Sequence, residues 1–171
     1  MIIKKHIERK TKIDYFLIEG VIDVDSNYFI DSMKKGFDSP RNQNFKTNIQ
    51  GFMTPWNYFL NDEKFMLIIE EFIKYVDSTI DLTNYNIFEA WGFSSTKNQR
   101  TEYHNHLPST WSGVLYLNDC NSFLNFKDID KKVYMKKGKF VLFSSFLEHC
   151  TDFIETDETK WVISFNFGPV L

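Results

Sequence analysis

Glycine and proline are scarce in this 171-residue chain, at seven and four residues, which excludes collagen-like repeats and low-complexity linkers. Cysteine is scarcer: Cys120 and Cys150 are the only two. A chain of this size buries enough surface to do without disulfide staples, so the two thiols point to a reducing cytosol, with a bridge allowed but not required. Basic side chains do not outnumber acidic ones, 20 against 23, and the formal net charge is -3. That leaves no electrostatic footprint for a phosphate backbone, and nucleic acid is not favoured as a partner. No apolar run approaches the roughly 18 residues that span a bilayer, and Met1-Ile2-Ile3-Lys4-Lys5-His6 lacks the apolar region of a secretory signal. A soluble, cytoplasmic protein is expected, with no membrane partner. What is abundant is aromatic: eighteen Phe in a chain that is 43% hydrophobic imply one well-packed core. We read residues 1–171 as a single domain.

The pattern changes once along the chain. Ile13 to Ile22 is rich in β-branched and aromatic residues and reads as a strand, ending at Asp23 and Asp25. Asp25 or Ser26 can cap a helix whose apolar positions are Tyr28, Phe29, Met33 and Phe37, with Gly36 placed to end it. Asp38 to Asn48 is polar and reads as a surface connection. A second helix follows Asn61-Asp62-Glu63, with Phe65, Ile68, Ile69, Phe72, Val76 and Ile80 on one face. From about residue 85 only short apolar runs between turn signals remain, which is the signature of antiparallel β structure. The expected strands are Ile87–Phe93, Tyr103–His106, Ser112–Leu117, Phe123–Phe126, Lys132–Met135, Phe140–Ser144 and Lys160–Phe167. Residues 1–84 thus form a helix-rich support and 85–171 the β core.

Three of the four histidines lie in that β half: His104, His106 and His149. Residues two apart on an extended strand project from one face, so His104 and His106 have the spacing that grips a metal ion through neighbouring ring nitrogens. His149 follows a strand and a short turn, and sheet pairing can bring it beside them. The plainer alternative is a surface pair or a hydrogen-bonded structural feature. His6 reads as a surface residue.

The last strand puts Trp161, Ile163, Phe165 and Phe167 on one face and Lys160, Val162, Ser164 and Asn166 on the other. A solvated outer face explains such alternation in most sheets. The competing reading is a barrel whose interior holds a polar ligand, with Lys160 as a fixed positive charge for a carboxylate. Tyr116, in Ser112-Gly113-Val114-Leu115-Tyr116-Leu117-Asn118, either offers a hydroxyl to the same carboxylate or packs in the core. Trp91, Phe93 and Tyr103 either line a substrate mouth or are core.

Four motifs in order, His104-Asn105-His106, Ser112 to Asn118, Lys137 to Phe143 before His149, and Lys160 to Phe167 ending in Ser164-Phe165-Asn166, resemble the 2-oxoglutarate- and Fe(II)-dependent oxygenase superfamily. The sequence is most similar to the small oxygenases of that type found in phages and marine bacteria, and more distantly to prolyl hydroxylases. The likeness covers about Phe88 to Phe167. It implies an α+β fold: a double-stranded β-helix, a jelly-roll barrel, with the N-terminal helices packed on its outer face. It implies Fe(II) held by His104, His106 and His149, and 2-oxoglutarate held by Lys160 and Tyr116. The implied reaction is a hydroxylation using O2, with release of succinate and CO2, in the cytoplasm of the cell or of a phage's host. The primary substrate, a protein side chain or a small molecule, is not identified.

The sequence departs from that superfamily in two places. The usual second ligand is Asp or Glu, and here it is His106, so the triad is all histidine. Glu102 and Glu148 are the alternative sources of a carboxylate. The usual Arg-x-Ser is replaced by Lys160-Trp161-Val162, which loses a hydroxyl and the bidentate fork of Arg. Two other readings follow from the first departure: a cupin-like or zinc three-histidine metalloenzyme, and a non-catalytic jelly-roll binding module with a degenerate site.

Overall fold

The computed structural model describes residues 14–37, 48–76, 80, 82 and 84–170. His6, Ile13 and nearly all of the polar connection expected over residues 38–48 lie outside the described residues. Helix α1 spans Ser26–Phe37 and starts where expected, because the Asp25 carboxylate accepts the Tyr28 N–H at 3.2 Å. Helix α2 spans Glu63–Val76, and Asp62 caps it by accepting the Phe65 N–H at 2.9 Å. Phe65, Ile69, Phe72 and Val76 are its buried face, as the spacing requires. Gly36 does not end α1. It lies within the helix, where a Cβ would come within 2.8 Å of the Tyr58 ring, so its role is close packing rather than a left-handed turn.

Among the described residues ten strands accompany the helices: β1 (Leu17–Val21), β2 (Phe52–Met53), β3 (Tyr85–Ser95), β4 (Thr101–His104), β5 (Trp111–Tyr116), β6 (Phe123–Phe126), β7 (Lys131–Tyr134), β8 (Lys139–Ser144), β9 (His149–Thr151) and β10 (Lys160–Pro169). They form a six-stranded sheet in the order β1-β8-β5-β10-β3-β2 and a four-stranded sheet in the order β4-β9-β6-β7. Every pairing is antiparallel. From β3 onward the chain alternates between the sheets, except for the β6–β7 hairpin, which is the winding of a jelly roll. No helix among the described residues is long and apolar enough to cross a membrane.

Two apolar clusters divide the interior. One joins α1 and α2 to the larger sheet: the Phe72 ring meets Phe140 edge-on at 4.6 Å and Phe165 at 5.8 Å. The other, with Trp91, Phe93, Tyr116, Phe126 and Phe143, belongs to strands of both sheets. Strand β10 separates them. Ile163, Phe165 and Phe167 belong to the helix-side cluster and Val162 to the inter-sheet one. The polar face of β10 is not solvated: Lys160, Ser164 and Asn166 are 1%, 5% and 3% exposed. The second sheet covers it, and the polar side chains on it are interior groups that need partners.

Gly113 faces Phe165 across the β5–β10 pairing, and a Cβ at Gly113 would run into that ring. Gly113→Ala is expected to lower the unfolding free energy by about 1–3 kcal/mol, the usual cost of overpacking. Urea denaturation measures it. An unchanged midpoint would mean that Phe165 yields freely.

Candidate metal centre

His104 and His149 are brought together by backbone pairing: they are partners in the β4–β9 register, which carries an irregularity just before His104. Strand β9 was not among the expected strands. Its three residues follow a turn at Phe146 and are too few to show a period. Strand β4, expected over Tyr103–His106, instead covers Thr101–His104. His106 has left the strand, and its N–H donates to the Ser145 carbonyl at 2.9 Å. The His-x-His spacing therefore works through a strand end and a turn, not one flat strand face.

The three rings converge. Their centroids are 4.3 Å apart for His104 and His149, 4.9 Å for His104 and His106, and 5.1 Å for His106 and His149. One nitrogen from each lies within 4.8 Å of the others. The Nδ1–H of His104 donates to the Glu102 carbonyl and that of His149 to the Leu147 carbonyl, both at 2.8 Å. Those bonds fix the tautomer and leave each Nε2 lone pair free to ligate. Burial, the main cause, lowers the pKa of all three, His106 to about 3, so the rings are neutral as ligands must be.

Neither glutamate joins them. The Glu102 carboxylate is held by Arg100 at 2.8 Å, and Glu148 pairs with Lys127 at 3.1 Å, both on the surface. Among the described residues the cluster is all histidine. Trp91, Phe93, Val114, Thr101, Thr151 and Ser164 line the cavity beside it, which is narrow, about 40 Å³. Trp91 and Phe93 are thus both core and lining, while Tyr103 is 53% exposed and does not line this cavity.

Lys160 is 1% exposed and has no carboxylate partner among the described residues; its ammonium donates to the Thr151 hydroxyl at 3.0 Å and lies 5.2 Å from the centre of the Phe93 ring. Burial lowers its pKa to about 8. The buried Tyr116 hydroxyl has no hydrogen-bond partner among the described residues, and burial raises its pKa. Tyr116 pairs with Val162, two residues from Lys160 along β10, so phenol and ammonium spring from neighbouring positions. A lone buried ammonium and an unused buried phenol are both costly, and a bound carboxylate relieves both. Sequence reasoning missed Thr151. Thr151 is two residues past His149 in β9, and period two places both on one face, but three residues are too few to show that period in the sequence.

The Ser-Gly and Ser-Phe-Asn motifs meet in a buried network. Ser112 Oγ donates to Asn166 Oδ1 at 2.7 Å and lies 2.8 Å from Ser145 Oγ, and Asn166 Nδ2 donates to Glu89 at 2.6 Å. Through Ser145, whose carbonyl holds His106, this network anchors the turn that carries the third histidine.

No family model matches the sequence, and no curated protein matches it. Solved structures do. The chain is similar to the viral collagen prolyl hydroxylase of Paramecium bursaria Chlorella virus-1 in its 2-oxoglutarate complex, with a TM-score of 0.65 and 17% identity over 91% of this chain and 96% of that one. It is similar to HygX of Streptomyces hygroscopicus with nickel, 2-oxoglutarate and hygromycin B bound, with a TM-score of 0.65 and 13% identity over 92% and 83%. A Pseudomonas putida prolyl-4-hydroxylase gives 0.65 and 10% identity over 91% and 93%. At such identities the likeness establishes a shared fold, and these proteins' fold is the one this chain adopts.

Proposed function

We propose that the protein is an Fe(II)- and 2-oxoglutarate-dependent oxygenase that hydroxylates a substrate, acting as one domain over residues 1–171 with α1 and α2 as the support of its barrel. The observation that carries this reading is a buried ammonium without an anion, Lys160, in the same barrel as three convergent neutral imidazoles. The fold shared with 2-oxoglutarate-bound enzymes supports it.

His104 and His149 would hold the metal through Nε2, with His106 as the third donor. Lys160 and Tyr116 would hold the far carboxylate of 2-oxoglutarate, and Thr151 aims the ammonium. Trp91, Phe93 and Val114 keep the cavity apolar and exclude water. When bound, ferrous iron and the keto acid supply oxidation of a C–H bond by O2, with succinate and CO2 as coproducts. Two buried free thiols, Cys120 and Cys150, suit a reducing cytoplasm.

The experiment is anaerobic titration with Fe(II) and then 2-oxoglutarate. The expected result is a visible iron-to-keto-acid charge-transfer band. The all-histidine donor set favours one alternative, a zinc site with a bound hydroxide; tight zinc binding with no keto-acid affinity would establish that instead. Absence of any metal affinity would leave a binding module. Tyr116→Phe is expected to weaken 2-oxoglutarate about threefold to tenfold while leaving the stability of the ligand-free protein unchanged or raised, because the lost hydroxyl has no partner to abandon. Calorimetric titration and thermal melts read the two effects.

A further inference from the structure

With the keto diacid alone, the charge in this site does not balance. Three imidazoles are neutral donors, so a divalent ion held by them keeps both its charges, and the Lys160 ammonium adds a third. 2-Oxoglutarate returns two negative charges. One positive charge is left over in a cavity with no acidic lining residue, while the carboxylates of Glu102 and Glu148 are occupied by Arg100 and Lys127.

A second observation is independent of that sum. Trp91 is 2% exposed and lines the cavity beside His106, with ring centroids 6.0 Å apart, yet its indole N–H has no partner among the described residues. An indole N–H can only donate. The Thr101 hydroxyl, in the same lining and also buried, has no partner either. Unpartnered buried donors and an excess of positive charge call for the same thing.

We propose that the centre binds a monoanionic group together with the keto acid, received by the Trp91 indole and the Thr101 hydroxyl: a carboxylate carried by the substrate, or a small inorganic anion. The inference rests on the oxygenase reading. It makes the preferred substrate one whose reacting carbon lies close to a carboxylate, if the substrate supplies the charge.

The test uses the full chain loaded with Co(II) and saturated with 2-oxoglutarate, titrated with azide and separately with acetate, and read by visible absorption and calorimetry. Saturable azide binding without loss of 2-oxoglutarate is expected. It should weaken at least about tenfold in Trp91→Phe and in Thr101→Val, each of which removes a donor to a charged group. It should weaken likewise in His106→Asp, which returns a negative charge. The isosteric Thr101→Val keeps the test open should Trp91→Phe, which loses contact with Trp56, fail to fold. Acetate binding alongside azide assigns the position to a substrate carboxylate, and azide without acetate assigns it to an inorganic anion. Azide that binds only by expelling 2-oxoglutarate, or that binds all three variants unchanged, overturns the inference and leaves the oxygenase reading in place. Failure of 2-oxoglutarate to bind the metal-loaded protein removes both.

Discussion

His149→Ala is expected to lose metal binding, with affinity for Fe(II) or Co(II) falling by more than about a hundredfold, since even loss of a group that only orients a ligand costs ten- to a hundredfold. The geometry makes His149 the most consequential of the three. It is 3% exposed, it lies opposite His104 in the β4–β9 register, and its ring is the nearer neighbour of His104. Its removal leaves two imidazoles and no carboxylate among the described residues to replace it. The fold should survive, because the Nδ1–H bond that disappears ends on a carbonyl of the preceding turn and not on another side chain. Metal titration with circular dichroism on the same samples separates the effects. A folded variant that still binds the ion tightly would show that the three rings are not its ligands.

Lys160→Met is expected to act in opposite directions on the free and the loaded protein. A pKa of about 8 in place of 10.5 means that burying the charged form costs roughly 3 kcal/mol at neutral pH, so the substitution should stabilise the ligand-free protein by an amount of that order. The same change should raise the 2-oxoglutarate dissociation constant at least about tenfold, through loss of a contact between opposite charges. The pH dependence follows. Between about 8 and 10.5 the unfolded chain holds a proton that the folded, ligand-free chain has released, so ligand-free stability rises with pH across that window. If the ammonium holds the keto acid as proposed, affinity should drop about tenfold per pH unit above about 8 and recover below it. Equal affinity at about pH 7 and about pH 9.5, or in Lys160→Met, would remove this lysine from the site.

How much of this was legible in the sequence depends on the physical scale of each signal. Apolar period and capping chemistry are local, which is why α1 and α2 begin where Asp25 and Asp62 place them. The order of motifs was enough to pick out His104, His106 and His149 as a set, and the structure brings them together. The alternation along β10 was legible, but its direction was not: whether Lys160 faced water or the barrel depended on a second sheet that no window of β10 contains. Gly36 carried a false signal, because glycine before a polar stretch looks the same whether it caps a helix or lets a tyrosine approach. Strand β9 is too short to announce itself, and Thr151 was lost with it. The unused donors of Trp91 and Tyr116 are properties of three-dimensional surroundings alone.

Both carbonyls that orient His104 and His149 belong to the main chain, at residues 102 and 147. Side-chain replacement cannot delete a peptide oxygen. The tautomers of these two histidines are therefore insulated from sequence drift at their supporting positions, whereas the lysine's alignment hangs on a single replaceable alcohol. On the proposed function, the grip on the ion should over evolutionary time prove more durable than the grip on the keto acid, and divergent copies of this chain that fail are expected to keep the first and lose the second.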